Sequence, residues 1–192
     1  MQTGLGFGEA VRQASFNGVS IMTGTGYVSA NFSAWGGFAT TILLIVMFIG
    51  GCGGSTTCGI KVFRLQVLAS TAKVQISRLL RPHAVVLAYY NKRPVSVEVM
   101  DSVMGFFYLF ILGFVLIAIM LGMAGLDFVT ALSGAATSIS NVGPGLGEVI
   151  GADGNFSTLP DSAKWIMSFA MLLGRLEIFT VLVMLNPAFW QR

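Results

Sequence analysis

Two short stretches decide how this chain is read: Thr23-Gly24-Thr25-Gly26-Tyr27 and Asn141-Val142-Gly143-Pro144-Gly145. They close segments 9–27 and 127–145, which are rich in Ser, Thr, Asn and Gly yet nearly free of charge. Both segments are too polar to face lipid along their length. Irregular backbone at membrane depth is tolerated only inside protein or beside a watery cavity. Each segment offers about a dozen helix-compatible residues before its glycines. The pattern predicts two re-entrant pore loops, a half-helix going in and extended backbone coming out.

The rest of the chain supplies the membrane. Of its 192 residues 55% are apolar and 10% charged, against about 25% charged in soluble domains, and the mean hydropathy is +0.80. An ordinary soluble enzyme is excluded, and neither paired carboxylates nor a Cys/His or metal cluster marks a membrane enzyme. Cys52 and Cys58 make neither a disulfide framework nor a zinc spacing. A span needs about 20 apolar residues; Val103–Ala124 and Trp165–Leu185 qualify, the latter despite Arg175 and Glu177. Gly37–Gly51 is shorter and predicts a helix that breaks inside the membrane. The expected fold is an all-α integral membrane protein of helix–pore loop–helix repeats, with about three spanning helices plus two re-entrant loops.

Charge orients it. Seven of the eleven basic residues fall in 61–93, with no acid before Glu98, which places that segment in the cytoplasm. Asp127–Lys164 carries four acids against one base and suits the outside, and Arg192 returns the C-terminus to the cytoplasm. The basic segment lacks the aromatic interleaving that nucleic-acid stacking uses, so no nucleic-acid partner is expected. His83 is expected at the surface.

The two loops belong to an internal repeat. Asn31-Phe32-Ser33 recurs as Asn155-Phe156-Ser157, and Met47 and Gly50 recur as Met171 and Gly174, all 124 positions on. Upstream, Ala14, Ser20, Thr23 and Gly26 match Ala131, Thr137, Ser140 and Gly143 at an offset of 117. An ion in the bilayer must recover its hydration from protein oxygens, and backbone carbonyls of a Thr-x-Gly segment can supply them. The negative ends of the half-helices, near Met22 and Ser140, favour a cation. The competing reading is glycine-rich helix contact of the small-xxx-small kind. The two Asn-Phe-Ser tripeptides fit glycosylation sequons, but their place in the repeat favours a structural role in the outer loops.

Gly50-Gly51-Cys52-Gly53-Gly54-Ser55-Thr56-Thr57-Cys58-Gly59 has five glycines in ten residues. It is no Walker loop, because Lys61 lacks the flanking Gly and Ser/Thr. The inward span is expected to open here into a loop below the filter, where a gate can sit; a simple kink is the alternative. Arg175, midway along the last expected span, costs about 2.5–3.5 kcal/mol to bury. It serves either as a pore barrier or loop tether, or in an Arg–Glu network between helices.

These residues resemble a known family, the Trk/Ktr/HKT potassium transporters, and within it the TrkH-like bacterial uptake proteins. GGCGGSTTCGIK resembles the intramembrane gating loop, SISNVGPGLG the fourth filter, and MLLGRLEIFTVLVMLNPAFW the closing helix. The resemblance covers nearly the whole chain and implies four pore repeats around a potassium path. Residues 1–101 are then the third repeat without its first helix, and 102–192 the fourth. Filter residues are Thr23, Gly24, Thr25, Gly26, Tyr27 and Asn141, Val142, Gly143, Pro144, Gly145, with potassium at Thr25, Gly26, Val142 and Gly143. Gate residues are Gly50, Gly51, Gly53, Gly54, Ser55, Thr56, Gly59 and Arg175. Potassium is the transported ligand and no covalent cofactor is implied. The implied partners are membrane lipid, a second copy in a homodimer and a cytosolic, nucleotide-binding TrkA-like regulatory subunit, with the transporter itself in the bacterial inner membrane. Cys58 departs from the pattern, standing where the family loop usually has another glycine. Two pore loops cannot close a four-sided filter, so the chain is expected to be the C-terminal part of a longer transporter; a non-conducting assembly subunit is the alternative.

Overall fold

A computed structural model describes residues 6–82, 86–176, 180, 183–184 and 187–190. His83, Glu177 and Arg192, which the sequence singles out, lie outside the described residues. The architecture is helical: α1 Phe7–Met22, α2 Gly37–Phe48, α3 Val62–Leu80, α4 Val97–Met123, α5 Phe128–Ser140 and α6 Asp161–Arg175. A short helical turn, Pro187–Trp190, follows.

Among the described residues, α4 is the one helix long and apolar enough to cross a membrane. At 27 residues and 1.5 Å per residue it reaches about 40 Å, enough for a core of about 30 Å. Ser96 starts it by accepting from the Val99 amide at 3.5 Å. Ile111, Leu112, Val115, Leu116 and Ile119 remain exposed along it, as a lipid-facing side requires. α2 and α6, at 12 and 15 residues, are shorter than a span.

α6 ends at Arg175, with Leu176 as its cap; of the span expected over Trp165–Leu185, residues 177–179, 181–182 and 185 lie outside the described residues. Apolar composition continues past this point, so hydropathy alone could not mark the end. Arg175 stands in the last turn of α6, where the unpaired carbonyls of a helix C-terminus favour a cation.

α2 stops where the glycines begin. Ile49 is extended (φ −85°, ψ 107°), and the chain returns beside itself. Gly50 donates to the Ile60 carbonyl at 2.9 Å, Ile60 to Phe48 at 2.8 Å and Val62 to Gly51 at 3.2 Å. Residues 50–60 thus form a loop pinched at its neck, from which α3 departs. α3 packs Val67 and Val74, two turns apart, inward. A tight hairpin, β1 Tyr89–Tyr90 and β2 Arg93–Pro94, leads on towards α4; Asn91 and Lys92 both take positive φ at its turn, the arrangement a two-residue hairpin favours.

Two apolar clusters hold the helices. One joins α4, α5 and α6 through Phe106, Phe110, Leu121, Ile139 and Met167. The other joins α1, α2 and the segment after α5 through Ile21, Phe32, Met47, Val142 and Leu146. Phe48 and Phe114 bridge them edge to face, with ring centroids 5.0 Å apart.

Candidate functional site

α1 and α5 both run into extended, glycine-bearing backbone, and they do so through the same hydrogen bonds. The Gly24 amide donates to Ile21 O at 3.1 Å, and the Asn141 amide to Ser138 O at 3.2 Å. Thr25 donates to Ser20 O, and Val142 to Thr137 O, both at 3.0 Å. Further along, the Ser29 amide is held by Asn17 Oδ1 at 3.1 Å and the Leu146 amide by Ser133 Oγ at 3.0 Å. Each matched pair lies 117 positions apart, except Asn17 and Ser133, which lie 116 apart.

A helix hydroxyl clasps each strand as well. Ser20 Oγ donates to the Tyr27 carbonyl at 2.7 Å, and Thr137 Oγ1 accepts from the Gly143 amide at 2.9 Å. The sequence marked Ser20 and Thr137 as repeat positions; their role as clasps follows only from the fold. Asn17 and Ser133 were missed, although a buried polar residue one turn before each clasp was the available signal.

The strands meet. A Cβ on Gly26 would lie 2.4 Å from Val142 O and 3.2 Å from the Pro144 ring, and Gly26 takes φ +75°. Only glycine satisfies both the close approach and the left-handed backbone. Gly143 takes φ +116°. The structure thus brings Thr23–Tyr27 and Asn141–Gly145 together. Among the described residues the carbonyls of Thr25, Gly26, Val142 and Gly143 accept no hydrogen bond, whereas that of Tyr27 is taken by Ser20. Both helices point their C-terminal ends here, and neither carries a base in its last turn. Each such end carries about half a negative charge, so the locus favours a cation. Ser140 Oγ, at the end of α5, is buried with no partner among the described residues.

The pinched loop reaches this locus from beside it. Thr57 Oγ1 lies 3.5 Å from Thr23 O, and Ser55 Oγ pairs with Thr57 Oγ1 at 2.7 Å. Arg175 Nη1 donates to Thr56 O at 2.9 Å and lies 3.7 Å from Cys58 Sγ. A cavity of about 220 Å³ between loop, α4 and α6 is bordered by Thr56, Arg64, Phe106, Phe110 and Arg175. Of the loop glycines, Gly50 is the tightest: its Cβ would fall 2.4 Å from Cys58 O. Gly54 has open space around it. Asn141 Nδ2 donates to Met171 O at 3.0 Å, and Gly174 lets α6 touch the end of α5.

The outer loops tie the halves together. Asn31 and Asn155 each accept from the amide two residues on, at 3.0 Å, starting matching 3-10 turns. Asn31 Nδ2 also donates to Asp153, and Ser33 Oγ to Gly147 O. Asp127 caps α5 by accepting from the Thr130 amide at 3.2 Å. Hydrogen bonding from Thr130 holds its carboxyl below the usual carboxylate range. Among the described residues no His, Cys, Asp and Glu cluster could hold a metal; the donors gathered here are backbone carbonyls, which suit a large, weakly hydrated cation.

Residues 4–192 match the family model described as TrkH: Cation transport protein. The chain is 47% identical to the Trk system potassium uptake protein TrkI of Halomonas elongata over 95% of its length. It is 37% identical to the Trk system potassium uptake protein TrkH of Escherichia coli over 94%. The crystal structure of the potassium transporter TrkH from Vibrio parahaemolyticus superposes with a TM-score of 0.86 at 40% identity, covering 95% of this chain. The chain spans 37% of the length of each of the first two and 38% of the third. Matched from residue 4 to residue 192, it belongs to the TrkH family of cation transport proteins.

Proposed function

We propose that the chain forms two sides of a potassium-conducting pore in a Trk-type uptake system. Residues 1–101 act as the third pore repeat and 102–192 as the fourth. Thr23–Tyr27 and Asn141–Gly145 are their filter strands, with potassium held by carbonyls at Thr25, Gly26, Val142 and Gly143. The observation that carries this reading is the contact at Gly26: two strands with matching hydrogen bonds meet there and leave four carbonyls unengaged by the described residues. Carbonyls arranged so can replace a hydration shell.

Gly50–Gly59 is the gate loop in this reading, and Arg175 tethers it through Thr56 O. Releasing that tether frees the loop to leave the path beneath the filter. The membrane potential drives uptake, because a unit charge gains about 2.3 kcal/mol per 100 mV. The rest of the pore comes from further repeats of the same transporter, as the greater length of its relatives suggests. The complete transporter sits in the bacterial inner membrane with 61–93 cytoplasmic. It works as a homodimer under a nucleotide-binding regulatory subunit.

The test is Gly26→Ser in the full-length transporter, read as rubidium and sodium flux in proteoliposomes. A side chain at Gly26 must displace Val142 O, so discrimination between potassium and sodium is expected to fall. Unchanged discrimination at normal protein levels would overturn the filter assignment.

A further inference from the structure

The segment between the pinched loop and α4 is a folded unit, not a tether. Ser70 Oγ on α3 donates to Tyr89 O and accepts from the Tyr89 amide, both at 3.1 Å, docking the hairpin on the helix. Arg78 Nη2 reaches Val86 O at 3.5 Å. With Val67 and Val74 turned inward, the opposite side of α3 is apolar and is left uncovered among the described residues. Ile76, Leu79 and Leu80 are 59%, 84% and 78% exposed there. Tyr89 and Tyr90 on the hairpin are exposed too.

Bases frame this apolar face. Lys73, Arg78, Arg81, Lys92 and Arg93 are all exposed. No carboxylate occurs between Glu9 and Glu98. Counting Glu98 and Asp101 in the first turns of α4, residues 61–101 still carry a net charge of +5. An uncovered aliphatic strip, flanking bases and interfacial tyrosines are the features of a helix lying in a membrane interface.

The connection to α4 fixes where the unit can go. β2 ends at Pro94 and α4 begins at Val97. The first apolar turn, at Val103, is nine residues past the hairpin, the last six of them spanning about 9 Å of helix. A basic surface that close to the bilayer lies within the reach of its surface potential. We infer that the C-terminal half of α3 and the hairpin lie on the cytoplasmic leaflet, with Ile76, Leu79 and Leu80 at the boundary of headgroups and acyl chains and the bases paired with the phosphates of anionic lipid. This goes beyond the conduction proposal and rests on α4 crossing the membrane with 61–93 on its cytoplasmic side. A second copy fits the face less well, because two such faces would oppose like charges.

The test is amide hydrogen exchange on the full-length transporter in nanodiscs of phosphatidylcholine alone or with one-third phosphatidylglycerol. Residues 69–81 and 87–93 are expected to exchange more slowly in the anionic discs, and high salt should reverse this. Lys73→Gln/Arg81→Gln/Arg93→Gln should lose the protection, by roughly fivefold per charge at low salt. Leu79→Ser/Leu80→Ser should weaken it with the charge intact. Exchange over 103–121 reports folding and should not change. Equal exchange in both lipids overturns the inference. So does the same protection from inorganic phosphate in zwitterionic discs, which would make the surface a free-anion site. Protection that needs dimerisation or an added cytosolic protein, whatever the lipid, also overturns it.

Discussion

Gly174→Ala tests the tightest glycine position among the described residues. A Cβ at Gly174 would stand 1.9 Å from Ile139 O and 2.8 Å from its carbonyl carbon. An unstrained carbon–oxygen contact is about 3.3 Å, so α6 must withdraw from the end of α5 by about 1.4 Å. The obstacle is backbone at the last turn of a helix with ten buried residues, and it cannot swing aside as a side chain would. The withdrawal stretches the 3.0 Å bond from Asn141 Nδ2 to Met171 O beyond hydrogen-bond range. It also carries Arg175 away from Thr56 O. Overpacking costs about 1–3 kcal/mol and the lost bond about 0.5–1.5, against a small gain in helix propensity from alanine. The full-length variant should melt at a lower temperature in detergent and show altered potassium flux. Gly122→Ala is the control, because nothing lies within 4 Å of its Cβ; it should be neutral or slightly stabilising. Parent-like melting and flux for Gly174→Ala would refute the reasoning, since the two chains could not then be as close as described.

Thr137→Val keeps shape and β-branching but removes the acceptor of the Gly143 amide. Losing that part-buried bond should cost about 0.5–1.5 kcal/mol and loosen potassium discrimination, and flux ratios identical to the parent would argue against the clasp. Asp127 has its carboxyl held below the ordinary value of 3.8 by Thr130, so its cap is fully effective above that value and fails as pH falls through the lowered one. Melting curves of Asp127→Asn, which keeps a capping oxygen, should lose this acid sensitivity, whereas Asp127→Ala should cost about 1 kcal/mol at neutral pH; an unchanged acid limb in Asp127→Asn would show that another group sets it.

What the sequence disclosed and what it hid divide along the range of the forces involved. The ends of α1 and α5, at Met22 and Ser140, and the glycine strands after them were legible because hydroxyl, glycine and offset signals are local. The start of α2 at Gly37 and of α6 at Asp161, 124 positions apart, repeats at the spacing the Asn-Phe-Ser tripeptides gave. The end of α6 at Arg175 was hidden, since an apolar run looks the same whether or not its helix continues. α3 was read only as a basic stretch, although Val67 and Val74 sit seven apart; the surrounding charge masked the stripe. The contacts of Arg175 with Thr56 and of Gly174 with Ile139 join residues far apart in the chain, and no local pattern encodes them.

The two half-helices show the same division within one molecule. Their final turns share hydrogen bonds position by position, yet α5 has ten of its thirteen residues buried and α1 three of its sixteen. Local sequence therefore sets the geometry of each strand, while burial is set by neighbours. α5 lies between α4 and α6, whereas among the described residues no long helix stands to α1 as α4 stands to α5. Phe16 and Val19, on the exposed side of α1, make no such contacts among the described residues. The strand after α1 keeps its shape without them because Ser20 and Asn17 hold it from within. In the proposed filter, carbonyl geometry is then fixed within each half, and packing between the halves decides how closely the strands approach. Substitutions at Ser20 or Thr137 should therefore disturb one strand at a time, whereas a side chain at Gly26 disturbs both.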